Sequence, residues 1–339
     1  MVTVSASVPV LVGLVVVSTA VVWKGSAMLE TAAEQLSRYY GLPPIVHGAI
    51  VVAIGSSFPE LSSTVLATLV HDEFDLGVGA IVGSAIFNVL VIPAAAALST
   101  DRMAANRDVV YKEAQFYMLS VAVLLLTFSF GVIYYPTGDR LHATITRPLA
   151  VIPVLLYGLY VFIQYQDVKD HEPPEAPDVS PLRAWGLLAL SLGVIVVSVE
   201  GLVQAAIGLG DAFGTPSFLW GLTVIAASTS LPDTFVSVRA AQADRPVTSL
   251  ANVLGSNIFD LLVALPVGVL LAGATVVNYG AAVPMMGALT FATIVLFAMM
   301  RTDLELTDLE AVGLLVVYTG FLAWMGLETA GLTSFVPGL

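Results

Sequence analysis

Apolar residues run through this chain in unbroken blocks of roughly 20, separated by short polar stretches. A soluble helix shows an apolar stripe every third or fourth residue and a barrel strand shows strict alternation; these blocks show neither. A helix of about 20 residues crosses roughly 30 Å of hydrocarbon. The blocks therefore predict ten membrane-crossing helices, over 6–23, 44–70, 77–98, 114–134, 148–165, 184–208, 217–240, 248–273, 281–300 and 310–327. No Lys or Arg precedes the run from Val8 to Trp23 and many more spans follow, so it reads as the first span rather than a signal peptide. Ten spans leave no room for a soluble domain.

Two of the ten spans are impure, and in the same way. "GLPPIVHGAIVVAIGSSFPE" (41–60) aligns with "GTPSFLWGLTVIAASTSLPD" (214–233) at a constant offset of 173, pairing Gly41 with Gly214, Ser57 with Ser230, Pro59 with Pro232 and Glu60 with Asp233. A second block follows each: "GSAIFNVLV" (83–91) aligns with "GSNIFDLLV" (255–263) at offset 172, pairing Ser84 with Ser256 and Asn88 with Asp260. Two matched blocks at nearly one spacing indicate a duplication. Each half holds five spans, an odd number, so the second half enters the membrane from the opposite side. The fold class read here is an all-α integral membrane protein of about ten transmembrane helices in two inverted five-helix repeats, 1–165 and 183–339, joined by a linker at 166–182. Inverted repeats of this kind build many secondary transporters, with a site near the bilayer midplane formed by discontinuous helices.

Composition and charge sharpen the picture. The 339 residues are 58% hydrophobic and 11% charged, with a mean hydropathy of +0.92, as an integral membrane protein requires. Ten of the twelve basic residues, Lys24, Arg38, Arg102, Arg107, Lys112, Lys169, Arg183, Arg239, Arg245 and Arg301, fall after odd-numbered spans; Arg140 and Arg147 fall on the other side. Basic loops stay in the cytoplasm, which puts the linker inside, both termini outside, and the chain in the plasma membrane. A net charge of −13 disfavours nucleic-acid binding; the bilayer is the expected partner, and no obligate protein partner is evident. There is no cysteine, hence no disulfide or thiolate site.

The chemistry lies in the repeated blocks. Pro59 and Pro232 lack an N–H and would free the carbonyls of Gly55 and Ser228 from the helical ladder. Freed carbonyls are costly in lipid unless something satisfies them, and a cation drawn by the adjacent carboxylate does so. Ser57 and Glu60 are three apart; Ser56 with Glu60, Ser84 with Asn88, and Ser256 with Asp260 are four apart, so each pair shares a helix face. Hydroxyl, amide, carbonyl and carboxylate oxygens are hard donors that suit Ca²⁺ or Na⁺ and not zinc or copper. Ionisable groups at membrane depth are functional by default. Ser62, Ser63, Thr64 and Ser237 read as hydroxyls bonded one turn back, and Glu200 as a group near the interface. His47, His71, His142 and His171 show no ligand spacing. Phosphate-loop and dinucleotide motifs and any Ser/His/Asp cluster are absent, so no enzyme chemistry and no cofactor are indicated.

Two inverted "G-[ST]-S-x-P-[ED]" blocks, each followed by "GS-x-IF-[ND]", resemble the repeats of the sodium/calcium exchanger family of the cation/calcium exchanger superfamily. The resemblance covers essentially the whole chain. It implies an electrogenic antiporter that exchanges Na⁺ for Ca²⁺ by alternating access. It places competing Ca²⁺ and Na⁺ on Glu60 and Asp233, with Ser56, Ser57, Thr229, Ser230, Ser84, Asn88, Ser256 and Asp260 completing the metal sites. Many prokaryotic relatives carry Glu at both repeat carboxylates, whereas this chain has Asp233. Asp at position 260 is shared with potassium-dependent members, so K⁺ co-transport stays open, as does a proton-driven Ca²⁺ antiporter; the "GNxxEH"-like block of the latter is missing. Ala80 and Ala85 stand where the family often has Asn. A passive cation channel would need no duplicated carboxylates on broken helices.

Overall fold

A computed structural model of the chain describes residues 7–41, 53–100, 103–138, 141–166 and 180–337. Residues 167–179 of the linker, His47, His171, Arg102, Arg140, Lys169 and the start of the second span lie outside the described residues. Ten helical rods follow the ten predicted spans. They are α1 (Val8–Tyr39), α2 (broken into Ala53–Ser56 and Phe58–Leu69), α3 (Phe74–Leu98), α4 (Ala114–Tyr134, after a π-helical turn Asp108–Glu113) and α5 (Arg147–Gln166). The second half holds α6 (Pro181–Phe213), α7 (Ser217–Trp220, π-helical Gly221–Ile225, then Ala226–Gln242), α8 (Pro246–Phe259, π-helical Asp260–Ala264, then Leu265–Ala272), α9 (Tyr279–Met300) and α10 (Asp308–Thr329).

Among the described residues, eight helices are long and apolar enough to cross a membrane. Of the other two, α2 is described only as segments of 4 and 12 residues, and α7 carries hydroxyls, a proline and a carboxylate that lower its hydropathy. The innermost rods are α3 and α8, each 83% buried over its most apolar window. α3 shows no amphipathic face because it is enclosed all round and has no lipid-facing side to distinguish.

α1 and α6 outrun their predicted spans. At 32 and 33 residues each is close to 50 Å long, by roughly 1.5 Å per residue. Hydropathy stops the first span at Lys24, yet the helix continues past Glu30, whose Oε1 is buried, to the exposed Glu34 and Arg38. The two long helices pack along each other through Val22, Leu29, Ile195, Val199 and Leu202. Their ends match: Gly41 after α1 has φ 62° and Gly214 after α6 has φ 63°. The aligned glycines thus take the left-handed conformation that closes a helix, which a side chain would strain.

The all-helical expectation needs one addition, two short antiparallel ladders. β1 (Met103–Ala104) pairs with β4 (Glu305–Leu306), and β2 (His142–Thr146) with β3 (Ala274–Asn278) in the register His142↔Asn278 to Thr146↔Ala274. Each ladder ties one half to the other. β1 and β4 follow odd-numbered helices, β2 and β3 even-numbered ones, so the ladders lie on opposite membrane sides. Segments this short carry too little alternation to be legible in sequence.

Candidate functional site

The ten residues singled out in the sequence come together. Ser56, Ser57, Glu60, Ser84, Asn88, Thr229, Ser230, Asp233, Ser256 and Asp260 each have 0% of their surface exposed, although they come from four different helices, α2, α3, α7 and α8.

Reciprocal serine contacts knit these helices. The hydroxyl oxygens of Ser57 and Ser256 lie 2.7 Å apart, and those of Ser84 and Ser230 2.8 Å apart. The two contacts are the same contact in the two repeats, since Ser57 aligns with Ser230 and Ser84 with Ser256. Ser256 donates to Asp233 Oδ2 at 2.7 Å, and Ser84 donates, at 3.4 Å, to Glu60 Oε1. A hydroxyl has one proton. With those of Ser256 and Ser84 committed to carboxylates, Ser57 and Ser230 supply the protons of the serine pairs; Ser256 and Ser84 each spend one lone pair as acceptor and keep one, while Ser57 and Ser230 keep both.

The helix irregularities are what aim these groups. In α2 the ladder breaks at Ser57 (φ −87°, ψ 6°), two residues before Pro59, and Glu60 sits in the first turn of the segment that follows. α7 departs from the expectation of a break at its proline. It runs on through Pro232, and its irregular stretch lies earlier, at Gly221–Ile225. A π-helical turn absorbs the distortion there. α8 carries a similar turn that starts on Asp260 itself, and such turns commonly mark functional positions. Ser63 and Thr64 bond back to the carbonyl of Glu60 at 2.8 and 3.2 Å, as expected. Ser237 differs, accepting from Asn252 at 3.4 Å. Thr229 spends its hydroxyl on the Ile225 carbonyl at 3.1 Å while standing beside Glu60; Ser56 stands beside Asp233.

Several oxygens are left over. Glu60 Oε2, Asp233 Oδ1, Asn88 Oδ1 and both carboxylate oxygens of Asp260 are buried and have no hydrogen-bond partner among the described residues. Ser57 is next to Asp260, but its hydroxyl is engaged with Ser256. Ion pairs among the described residues involve Arg38 with Glu34 and His71 with Glu200, and neither reaches this cluster. Nor do three or more His, Cys, Asp or Glu side chains gather closely enough, among the described residues, to hold a metal by themselves. Whatever ligand the cluster takes must draw on hydroxyls and amides as well as carboxylates.

Sequence reasoning missed four neighbours, one of them Glu30 of α1, whose buried carboxylate lies within electrostatic reach of Asp233. Asn257 accepts from Asn88 Nδ2 at 2.9 Å and is wholly buried. Tyr117 and Tyr157, from α4 and α5, lie within electrostatic reach of Asp260. The signal for Asn257 was present, as the repeats differ there: position 85 in the first block is alanine. Glu200 is not a bare interfacial group, since its Oε1 lies 2.8 Å from His71 Nε2 and accepts from Gln204 at 2.8 Å.

Fold and site together define a multi-pass helical membrane protein of the inverted-repeat kind, with an oxygen-lined cluster where the repeats meet. The family model described as "Sodium/calcium exchanger protein" matches residues 10–166 and 183–327. The sodium/calcium exchanger MaX1 of Methanosarcina acetivorans is 26% identical over 334 residues, 88% of this chain and 93% of that protein. The inner membrane protein YrbG of Escherichia coli is 29% identical over 258 residues, 74% of this chain and 77% of its own length. Among solved structures, the sodium-calcium exchanger NCX_Mj superposes with a TM-score of 0.63 at 22% identity, over 94% of this chain and 99% of that one. The chain belongs to the sodium/calcium exchanger family.

Proposed function

We propose that this chain is a secondary antiporter that exchanges Na⁺ for Ca²⁺ across the plasma membrane by alternating access, and that Glu60, Asp233, Ser56, Ser57, Ser84, Asn88, Thr229, Ser230, Ser256 and Asp260 supply its ion ligands. The observation that carries this reading is the set of five buried, unpartnered oxygens on Glu60, Asp233, Asn88 and Asp260. An uncompensated buried charge costs several kcal/mol, and a cation with an incomplete oxygen shell is the partner that fits. The serine lone pairs left free by the donor assignment add to that shell. Ca²⁺ takes about 6 to 8 oxygens; the five unpartnered ones fall short of that, and the serine oxygens make up the number.

Exchange follows from charge. One fixed set of carboxylates neutralises either one divalent ion or several monovalent ions, and not both at once, so the ions compete. A site emptied of both carries uncompensated charge through the bilayer, which is unfavourable, and that suppresses uncoupled leak. Three or more Na⁺ against one Ca²⁺ would make the cycle electrogenic. The reading further takes 1–165 and 183–339 as the repeats, 166–182 as a cytoplasmic linker, and both termini as external, on the strength of the basic-residue asymmetry.

Reconstituted vesicles test this. Ca²⁺ uptake is expected to require an outward Na⁺ gradient, to ignore a pH gradient and to generate current; uptake driven equally by protons would reject Na⁺ coupling. Asp260→Asn addresses K⁺: if K⁺ is carried, wild-type uptake needs it and the variant does not, whereas uptake indifferent to K⁺ in both removes that option.

A further inference from the structure

We propose that Asn257 is a positioning residue for ion binding, holding the side chain of Asn88 so that its carbonyl oxygen, and not its N–H₂ group, faces the ions. The inference rests on the reading of the buried cluster as the ion site.

The argument is one of donors and acceptors. Asn257 Nδ2 donates to the main-chain carbonyl of Ala85 at 3.2 Å and to the hydroxyl of Tyr117 at 3.3 Å. A main-chain carbonyl can only accept, so the end of the Asn257 amide beside Ala85 has to be nitrogen. Its Oδ1 therefore points to Asn88, and Asn88 must answer with N–H, as the 2.9 Å contact has it. With Nδ2 of Asn88 held there, Oδ1 is turned the opposite way, where it is buried and has no hydrogen-bond partner among the described residues. Asn88, Asn257, Tyr117 and Ala85 are at most 1% exposed, so water does not compete for these bonds. Without Asn257 nothing on this path distinguishes the two ends of the Asn88 amide. A rotated Asn88 would show a cation two protons in place of an oxygen.

The repeats explain why one such amide suffices. Asn257 aligns with Ala85 and Asn88 with Asp260, so the position that steers Asn88 in one half is occupied by alanine in the other. By the repeat correspondence, the counterpart of Asn88 opposite that alanine is Asp260, a carboxylate. An ionised carboxylate presents oxygen in either orientation and needs no steering. Asn257 with Asn88 and Ala85 with Asp260 are thus two self-consistent solutions to one geometric problem.

The experiment compares Asn257→Ala in two backgrounds, with Ca²⁺ binding to the purified full chain read by the ion-induced rise in melting temperature. In the native background Ca²⁺ binding is expected to weaken about tenfold, the scale of lost outer-sphere support. In the Asn88→Asp background, where orientation no longer matters, the same substitution should weaken it less than about twofold. Equal weakening in both backgrounds, no weakening in the first, or an Asn88→Asp protein that binds no Ca²⁺ would each overturn the proposal. Should Asn257→Ala not fold, the near-isosteric Asn257→Leu, which likewise lacks the acceptor toward Asn88, replaces it in both backgrounds with the same expected outcomes, and the same results overturn the idea. Glu60→Gln, measured alongside, separates the two levels. Undiminished Ca²⁺ binding in that variant sinks the site reading itself, whereas the outcomes above sink only the role of Asn257.

Discussion

Replacing Glu60 by Gln, or Asp233 by Asn, is expected to abolish Ca²⁺ uptake without lowering the melting temperature of the ion-free protein. Both substitutions keep shape and volume and remove one negative charge from a wholly buried cluster. At an effective dielectric near 20, unit charges about 4 Å apart attract by roughly 4 kcal/mol, and a divalent ion feels more. Losing one carboxylate therefore costs at least about a thousandfold in Ca²⁺ affinity by the usual conversion of roughly 1.4 kcal/mol per decade. In the ion-free protein the sign reverses. Glu60, Asp233 and Asp260 are wholly buried and repel one another, so neutralising one removes a penalty rather than a bond. Transport in vesicles and melting in Na⁺-free and Ca²⁺-free detergent are the two readouts. Uptake within a factor of ten of the native chain, or a melting temperature that falls with each substitution, would place the ion elsewhere or assign these groups a purely structural part.

Gly83→Ala should be nearly as damaging, for a reason unrelated to charge. α3 carries Gly79 and Gly83 four residues apart, the spacing that lets helices approach at backbone distance in membranes. A Cβ built on Gly83 would stand 2.1 Å from the carbonyl oxygen of Leu222, and one on Gly221 would stand 2.2 Å from that of Leu76. The obstructing atoms are backbone, so no rotamer change relieves the clash and α3 and α7 must separate. Overpacking of this sort costs about 1–3 kcal/mol, and more where nothing can yield; we expect about 3. Separation also pulls Ser84 from Ser230, whose contact spans the same interface, so transport should fall together with stability. Gly193→Ala in α6 is the control, because a Cβ there meets nothing within 4 Å. A Gly83→Ala protein as stable and active as the Gly193→Ala protein would show that the two helices do not touch at their backbones.

Much of this protein is legible in one dimension because lipid is a demanding solvent. A span must be about 20 apolar residues long and helical, since unpaired backbone groups find no water, so α3 to α5 and α8 to α10 could be located within a few residues. Glu60, Asp233, Asn88 and Asp260 stand out for the complementary reason that charge and amides are costly there and are kept only for a use. Helix ends were less legible: α1 runs past Trp23 to Tyr39 because a helix leaving the membrane changes its side chains without changing its hydrogen bonds. The site of distortion in α7 was also misjudged. A proline removes a donor at a known position, but which turn gives way depends on what packs against it.

The sequence by itself determined the ten rods and singled out Glu60, Asp233, Asn88 and Asp260, which follow from the cost of polar groups in hydrocarbon; its aligned blocks gave the inverted duplication, and their resemblance to a known family gave the rest of the site. The tertiary structure alone decided which atoms meet. The serine pairs across the repeats, the amide of Asn257 that turns Asn88, and the backbone contact at Gly83 each join residues more than 130 positions apart, and they decide which oxygens are left without donors. Hydropathy is a property of single segments and hydrogen bonding one of pairs, so the pairs had to await the fold.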